Sequence, residues 1–78
     1  MSPTQFRMAR AALRWGIVEF AERAKVSTST LVRFERGEEL KPATVNHLRA
    51  ILEDAGIEFI PENGGGIGVR LKKPGPQA

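Results

Sequence analysis

Cysteine is absent from this chain of 78 residues, and histidine occurs once, as His47. Without cysteine there is neither a disulfide framework nor a thiolate metal site, and one imidazole does not make a histidine zinc site. No apolar run approaches the roughly 20 residues that cross a bilayer. The N-terminus alternates basic and apolar residues and lacks the apolar block of a secretory signal. A cytoplasmic protein is expected. No nucleophile, base and orienting group stand at a recognisable spacing, so neither an enzyme nor a cofactor is expected. The length allows one domain with a marginal core, for which a second copy commonly supplies the missing burial.

What charge there is lies unevenly. The net charge is +3. Residues 1–36 carry seven basic side chains (Arg7, Arg10, Arg14, Arg23, Lys25, Arg33, Arg36) against Glu19, Glu22 and Glu35, a net of +4. Residues 37–78 carry five basic against six acidic side chains, a net of −1. A basic half on a small domain suits either a polyanionic partner or plain solubility.

Apolar spacing predicts four helices. The first covers 3–14, with Pro3 in its first turn and Phe6, Ala9 and Leu13 on one stripe. Gly16 breaks it, and Trp15 beside that glycine reads as a packing anchor. The second covers 17–24, with Phe20, Ala21 and Ala24 inward. The third runs from Thr28 to Arg36, with Leu31 and Phe34 inward and Gly37 suited to its end. The fourth runs from Pro42 to Ala55, with Val45, Leu48, Ile51, Leu52 and Ala55 as its apolar face and Gly56 as its stop. His47 is expected on its outer side.

The period then falls to two. Ile57-Glu58-Phe59 and Ile67 to Lys72 alternate, and the loop between them contains Asn63-Gly64, so a β-hairpin is expected. Ile57, Phe59, Ile67, Val69 and Leu71 would share a face. The glycines 64–66 do not open a helix after a strand and no Lys-Ser/Thr follows, which favours a floppy turn over a phosphate cradle. Arg70, Lys72 and Lys73 suit either a DNA backbone or a strand edge kept soluble.

The stretch KVSTSTLVRFERG, residues 25–37, carries the functional reading. Ser27 is a good N-cap for the third helix. Small hydroxyl residues in its first turn allow close approach to DNA, and its N–H groups and dipole favour phosphate. Arg33, one turn later and outward, reaches towards a guanine edge. Two short helices joined by a tight turn form a helix-turn-helix arrangement.

Phe20-Ala21-Glu22-Arg23-Ala24-Lys25-Val26-Ser27, followed by Thr30-Leu31-Val32-Arg33-Phe34-Glu35-Arg36-Gly37 and a Pro42-containing loop, resembles the phage repressor and Cro type of helix-turn-helix domain, the XRE family. The likeness covers residues 5–55. It implies a mainly α fold of four to five helices, followed here by a C-terminal hairpin like those on some small members. It also implies a homodimer that binds double-stranded DNA at a palindromic operator and usually represses transcription, within the bacterial nucleoid. Residues 1–56 would form the DNA-binding domain, 57–73 the hairpin and 74–78 a disordered tail.

By that resemblance Ser27, Thr28, Ser29, Val32 and Arg33 correspond to base contacts, and Arg36, Lys41 and Asn46 to backbone contacts. Arg10 and Glu35 correspond to an ion pair between the first and third helices. The family's glutamine at the start of the second helix is Ile17 here. Its turn glycine is Lys25, where positive φ costs a non-glycine residue on the order of 1 kcal/mol; a phosphate contact is assigned to that lysine. Because a two-stranded hairpin is marginal alone, Phe59, Ile67, Val69 and Leu71 are expected to join two copies. The alternative is a protein-interaction module, an antitoxin or anti-activator, that grips another protein through the hairpin or the same helices.

Overall fold

The computed structural model describes residues 1–72. The 74–78 tail assignment, and Lys73 before it, lie outside the described residues. Four helices come first: α1 (Pro3–Leu13), α2 (Ile17–Ala24), α3 (Thr28–Glu35) and α4 (Pro42–Asp54). Strands β1 (Ile57–Ile60) and β2 (Gly68–Leu71) follow and pair antiparallel, Ile57 facing Leu71 and Phe59 facing Val69. Helices with a terminal hairpin were expected; the fifth helix allowed by the resemblance is not present among the described residues.

Each helix begins and ends for a local reason. The Ser2 side chain accepts from Gln5 N while the Gln5 side chain accepts from Ser2 N, a reciprocal capping box with Pro3 behind it. Arg14 stops α1 by turning left-handed at φ 60°. Gly16 starts α2 without a side-chain cap, and Lys25 ends it at φ 58°, ψ 44°. Gly37 and Gly56, at φ 94° and 109°, follow α3 and α4 and reverse the chain where a Cβ would be strained.

Phe6, Phe20, Leu31, Leu48, Leu52 and Ile57 are fully buried. Phe6 sits at the centre, edge-on to Phe20 at 5.0 Å and to Phe34 at 5.5 Å. Such pairs add to the area they bury. Trp15 packs on Phe20 at 5.9 Å with the Arg23 guanidinium 4.2 Å above its ring, which anchors the corner between α1 and α2. Leu48 and Leu52 bring α4 into the same core, and Ile57 brings in the hairpin.

The hairpin therefore belongs to the helical body. β1 packs on α4 and β2 on α1. Gln5, the one buried polar residue among those described, clamps it: Nε2 donates to Ile60 O at 3.1 Å and to Gly68 O at 3.0 Å. The expected shared face needs one correction. Ile57, Phe59, Val69 and Leu71 lie on it by register, but Ile67 falls before β2 and is 42% exposed. Gly66, just before it, takes φ 92°, and pairing starts only at Gly68 opposite Ile60. The glycine loop is also better tied than the expected floppy turn. One Glu62 carboxylate oxygen accepts from the N–H groups of Gly64 at 3.0 Å and Gly66 at 3.1 Å.

Candidate functional site

α2 and α3 are joined by three residues, Lys25 to Ser27. The left-handed Lys25 makes that turn possible, and its side chain is exposed. Val26 is half-buried against the core and sends its N–H to Ala21 O at 3.1 Å. Ser27 then caps α3, its hydroxyl accepting from Thr30 N at 3.2 Å. The same hydroxyl meets Thr30 Oγ1 at 2.8 Å and Ser29 Oγ at 3.1 Å, so Ser27 holds the first turn of α3 together.

Two side chains fix this helix pair to the rest. His47 Nε2 lies 2.8 Å from the carbonyl of Ala24 and donates to it, so α4 caps the end of α2 beside the strained turn. His47 is exposed, as its expected place on the outer side of α4 requires, and its ring is also engaged by the Ala24 carbonyl. At the other end of α3, Arg10 Nε donates to Glu35 Oε2 at 2.8 Å, and Nη2 of the same guanidinium meets the same oxygen. Arg10 Nη1 also donates to Trp15 O at 3.1 Å. Both partners are 17% exposed, so water screens the pair little.

Capped by Ser27 and tied to Arg10 at its C-terminal end, α3 buries Leu31 and Phe34 and leaves Thr28, Ser29, Val32 and Arg33 exposed. Arg33 has no ion-pair partner among the described residues. It lines a groove of about 350 Å³ with Thr30, Glu39, Leu40, Lys41 and Thr44. Lys41 is the N-cap residue of α4, which has no side-chain cap. Asn46 and Arg36 are exposed, and Arg36 Nη2 lies 3.9 Å from Glu38 Oε2. Ile17, where the family pattern has glutamine, packs half-buried against the core.

The four hairpin residues assigned to dimerisation divide. Phe59 and Val69 are half-buried against the chain's own core, and the Arg49 guanidinium covers the Phe59 ring at 4.9 Å. Leu71, 49% exposed, and Ile67 remain on the surface. Facing residues share a face in an antiparallel pair, so the register that turns Phe59 inward turns Val69 with it.

Gln5 and His47 hold roles that the sequence does not announce. The Ser2-x-x-Gln5 spacing signals the cap, but no local pattern signals that the free end of Gln5 reaches the hairpin. A second, larger groove of about 570 Å³ is lined by Trp15, Arg23, Ile51, Asp54 and Ala55. Among the described residues no group of three or more histidine, aspartate or glutamate side chains is placed to hold a metal, and no helix is long and apolar enough to cross a membrane. No known protein-family model matches the chain, and a search of curated proteins returns no match.

Proposed function

We propose that the protein is a sequence-specific DNA-binding regulator of the helix-turn-helix kind, a repressor acting as a homodimer. The observation that supports this best is the state of α3. Its inner side is buried and its C-terminal end is tied to Arg10, yet its outer face holds exposed Thr28, Ser29, Val32 and Arg33, the last with no ion-pair partner among the described residues. The resemblance of residues 5–55 to the repressor and Cro type points the same way.

In this reading α3 enters the major groove by its N-terminal turn. The Arg33 fork takes guanine O6 and N7, and Val32 meets a thymine methyl. Ser27, Thr28 and Ser29 approach without bulk. Lys25, Arg36, Lys41 and Asn46 take phosphates, which set register and salt dependence. Two copies place their α3 helices one helical turn apart, about 34 Å. Leu71 and Ile67 are the apolar side chains that the hairpin leaves for the second copy. The place of action is the nucleoid.

Incubating the protein with sheared DNA at near-physiological salt, recovering the bound fraction and sequencing it tests the reading. One enriched inverted repeat, lost with Arg33→Ala, is expected. Uniform recovery from wild type would remove sequence-specific binding. The protein-interaction reading rests on the same exposed Ile67 and Leu71. It predicts a protein partner whose capture survives Arg33→Ala and fails when both apolar residues are made serine.

A further inference from the structure

The loop between α3 and α4 places two carboxylates beside the end of α3, whose electrostatics disfavours them. Gly37 N bonds to Phe34 O at 3.0 Å and Glu38 N to Arg33 O at 3.0 Å, so the chain folds back over the C-terminal end of α3. That end carries partial negative charge, and acidic side chains beside it lower helix stability. Glu38 and Glu39 nonetheless follow in succession, both exposed. The end of α3 therefore does not explain them, and the N-terminus of α4, which begins at Pro42, favours an acidic neighbour only generically.

Their neighbours are cationic. Glu38 lies 3.9 Å from Arg36, and Glu39 lines the groove that also contains Arg33 and Lys41. Two carboxylates thus stand among the three cations that, on the DNA-binding reading, meet nucleic acid. A phosphate approaching Arg36 or Lys41 displaces the carboxylate or is repelled by it, and this happens whatever the base sequence. Arg33 differs, because on the DNA-binding reading its fork is assigned to a base edge and not to a phosphate.

We propose that Glu38 and Glu39 form an electrostatic brake on sequence-independent DNA binding, which raises the ratio of specific to non-specific affinity. This rests on the DNA-binding reading. The brake acts as an internal competitor for the phosphate-binding cations. Its effect is largest where phosphates are the only ligand available, and smallest on an operator that gives Arg33 a guanine. It weakens with salt as any exposed interaction does.

The test uses the full chain carrying Glu38→Gln and Glu39→Gln together. Binding is read by fluorescence anisotropy on two labelled duplexes, one of mixed sequence and one carrying the repeat selected above, across a salt series. A control variant, Glu53→Gln with Asp54→Asn, changes net charge equally at the other end of α4. The loop variant is expected to bind the mixed duplex about tenfold tighter at low salt. Its salt slope should steepen by up to about 2, and its preference for the repeat should fall. The control should gain much less.

Unchanged affinity and slope in the loop variant, with wild type still selecting its repeat, overturns the brake and leaves the DNA-binding reading standing. Equal gains in loop variant and control also overturn it, since net charge then accounts for both. Failure of both proteins to bind either duplex at low salt removes the DNA-binding reading and the brake with it. A loop variant that binds where wild type does not supports the brake.

Discussion

His47 and Ala24 are joined across 23 positions of sequence by a 2.8 Å hydrogen bond from imidazole Nε2 to a helix-terminal carbonyl. The bond satisfies one of the carbonyls that the end of α2 leaves unpaired. It does so one residue before the left-handed Lys25. Replacing His47 with leucine should lower stability by about 1 kcal/mol, a fall of roughly 4–8 °C in Tm for a domain of this size. Glutamine, which keeps an amide donor near the same place, should recover part of the loss. Thermal melts of the two variants decide it; equal melting of leucine and wild type would show the bond to be idle.

Arg10 and Glu35 form a half-buried pair whose members depend on each other. Glu35→Gln leaves a guanidinium with its carbonyl partner, Trp15 O, but without its counter-charge. It should cost about 2 kcal/mol, less than the full penalty for breaking a deeply buried pair. The double variant Arg10→Met/Glu35→Leu should cost less than the sum of the singles, because no charge is left stranded. A double-mutant cycle in urea measures the difference.

Gln5 presents both protons of its amide to two carbonyls of the hairpin. Gln5→Leu strands those acceptors and should cost about 2–3 kcal/mol. The hairpin amides should lose hydrogen-exchange protection before those of α2 and α3. Gln5→Glu should be worse at neutral pH, since a carboxylate facing two carbonyl oxygens has no proton to give. The introduced carboxyl then has a raised pKa in the folded state. Its protonated form fits, so stability is highest below the unfolded carboxyl pKa near 4.3 and falls as pH rises through the folded value. A variant whose stability is flat between pH 4 and 7 contradicts this geometry.

Lys25 carries two separable effects. Lys25→Gly relieves the left-handed backbone and should stabilise the fold by about 1 kcal/mol, whereas Lys25→Ala should not. On the DNA-binding reading both substitutions remove one phosphate contact and flatten the salt slope by about 0.9. A glycine variant that melts higher but holds DNA less tightly shows that the lysine is kept for its charge.

The four helices were readable because most of their ends are written locally. Gly16, Gly37, Gly56 and Pro42 mark ends that fall within a residue or so of those observed. α1 closes at Leu13, one residue early, because Arg14 enters a left-handed conformation that no residue type there signals. The exposed face of α3 was legible for the same local reason, since cap, apolar positions and Arg33 all lie within ten residues. The fastening of the hairpin was not. Gln5 finds its acceptors 55 and 63 positions away, and those acceptors are backbone carbonyls that any residue supplies. Ile67 was misplaced because alternation continues through it while the pairing does not. His47 escaped for the reason Gln5 did: its partner is main chain.

The Gln5 clamp also dictates an order of events during synthesis. A nascent chain that has released its four helices still has an amide on α1 waiting for Ile60 and Gly68, and a core lacking Ile57. Helices this short gain little on their own. Closure of the core therefore waits for β2 to emerge, and a chain cut short before residue 68 presents an incomplete body to proteases.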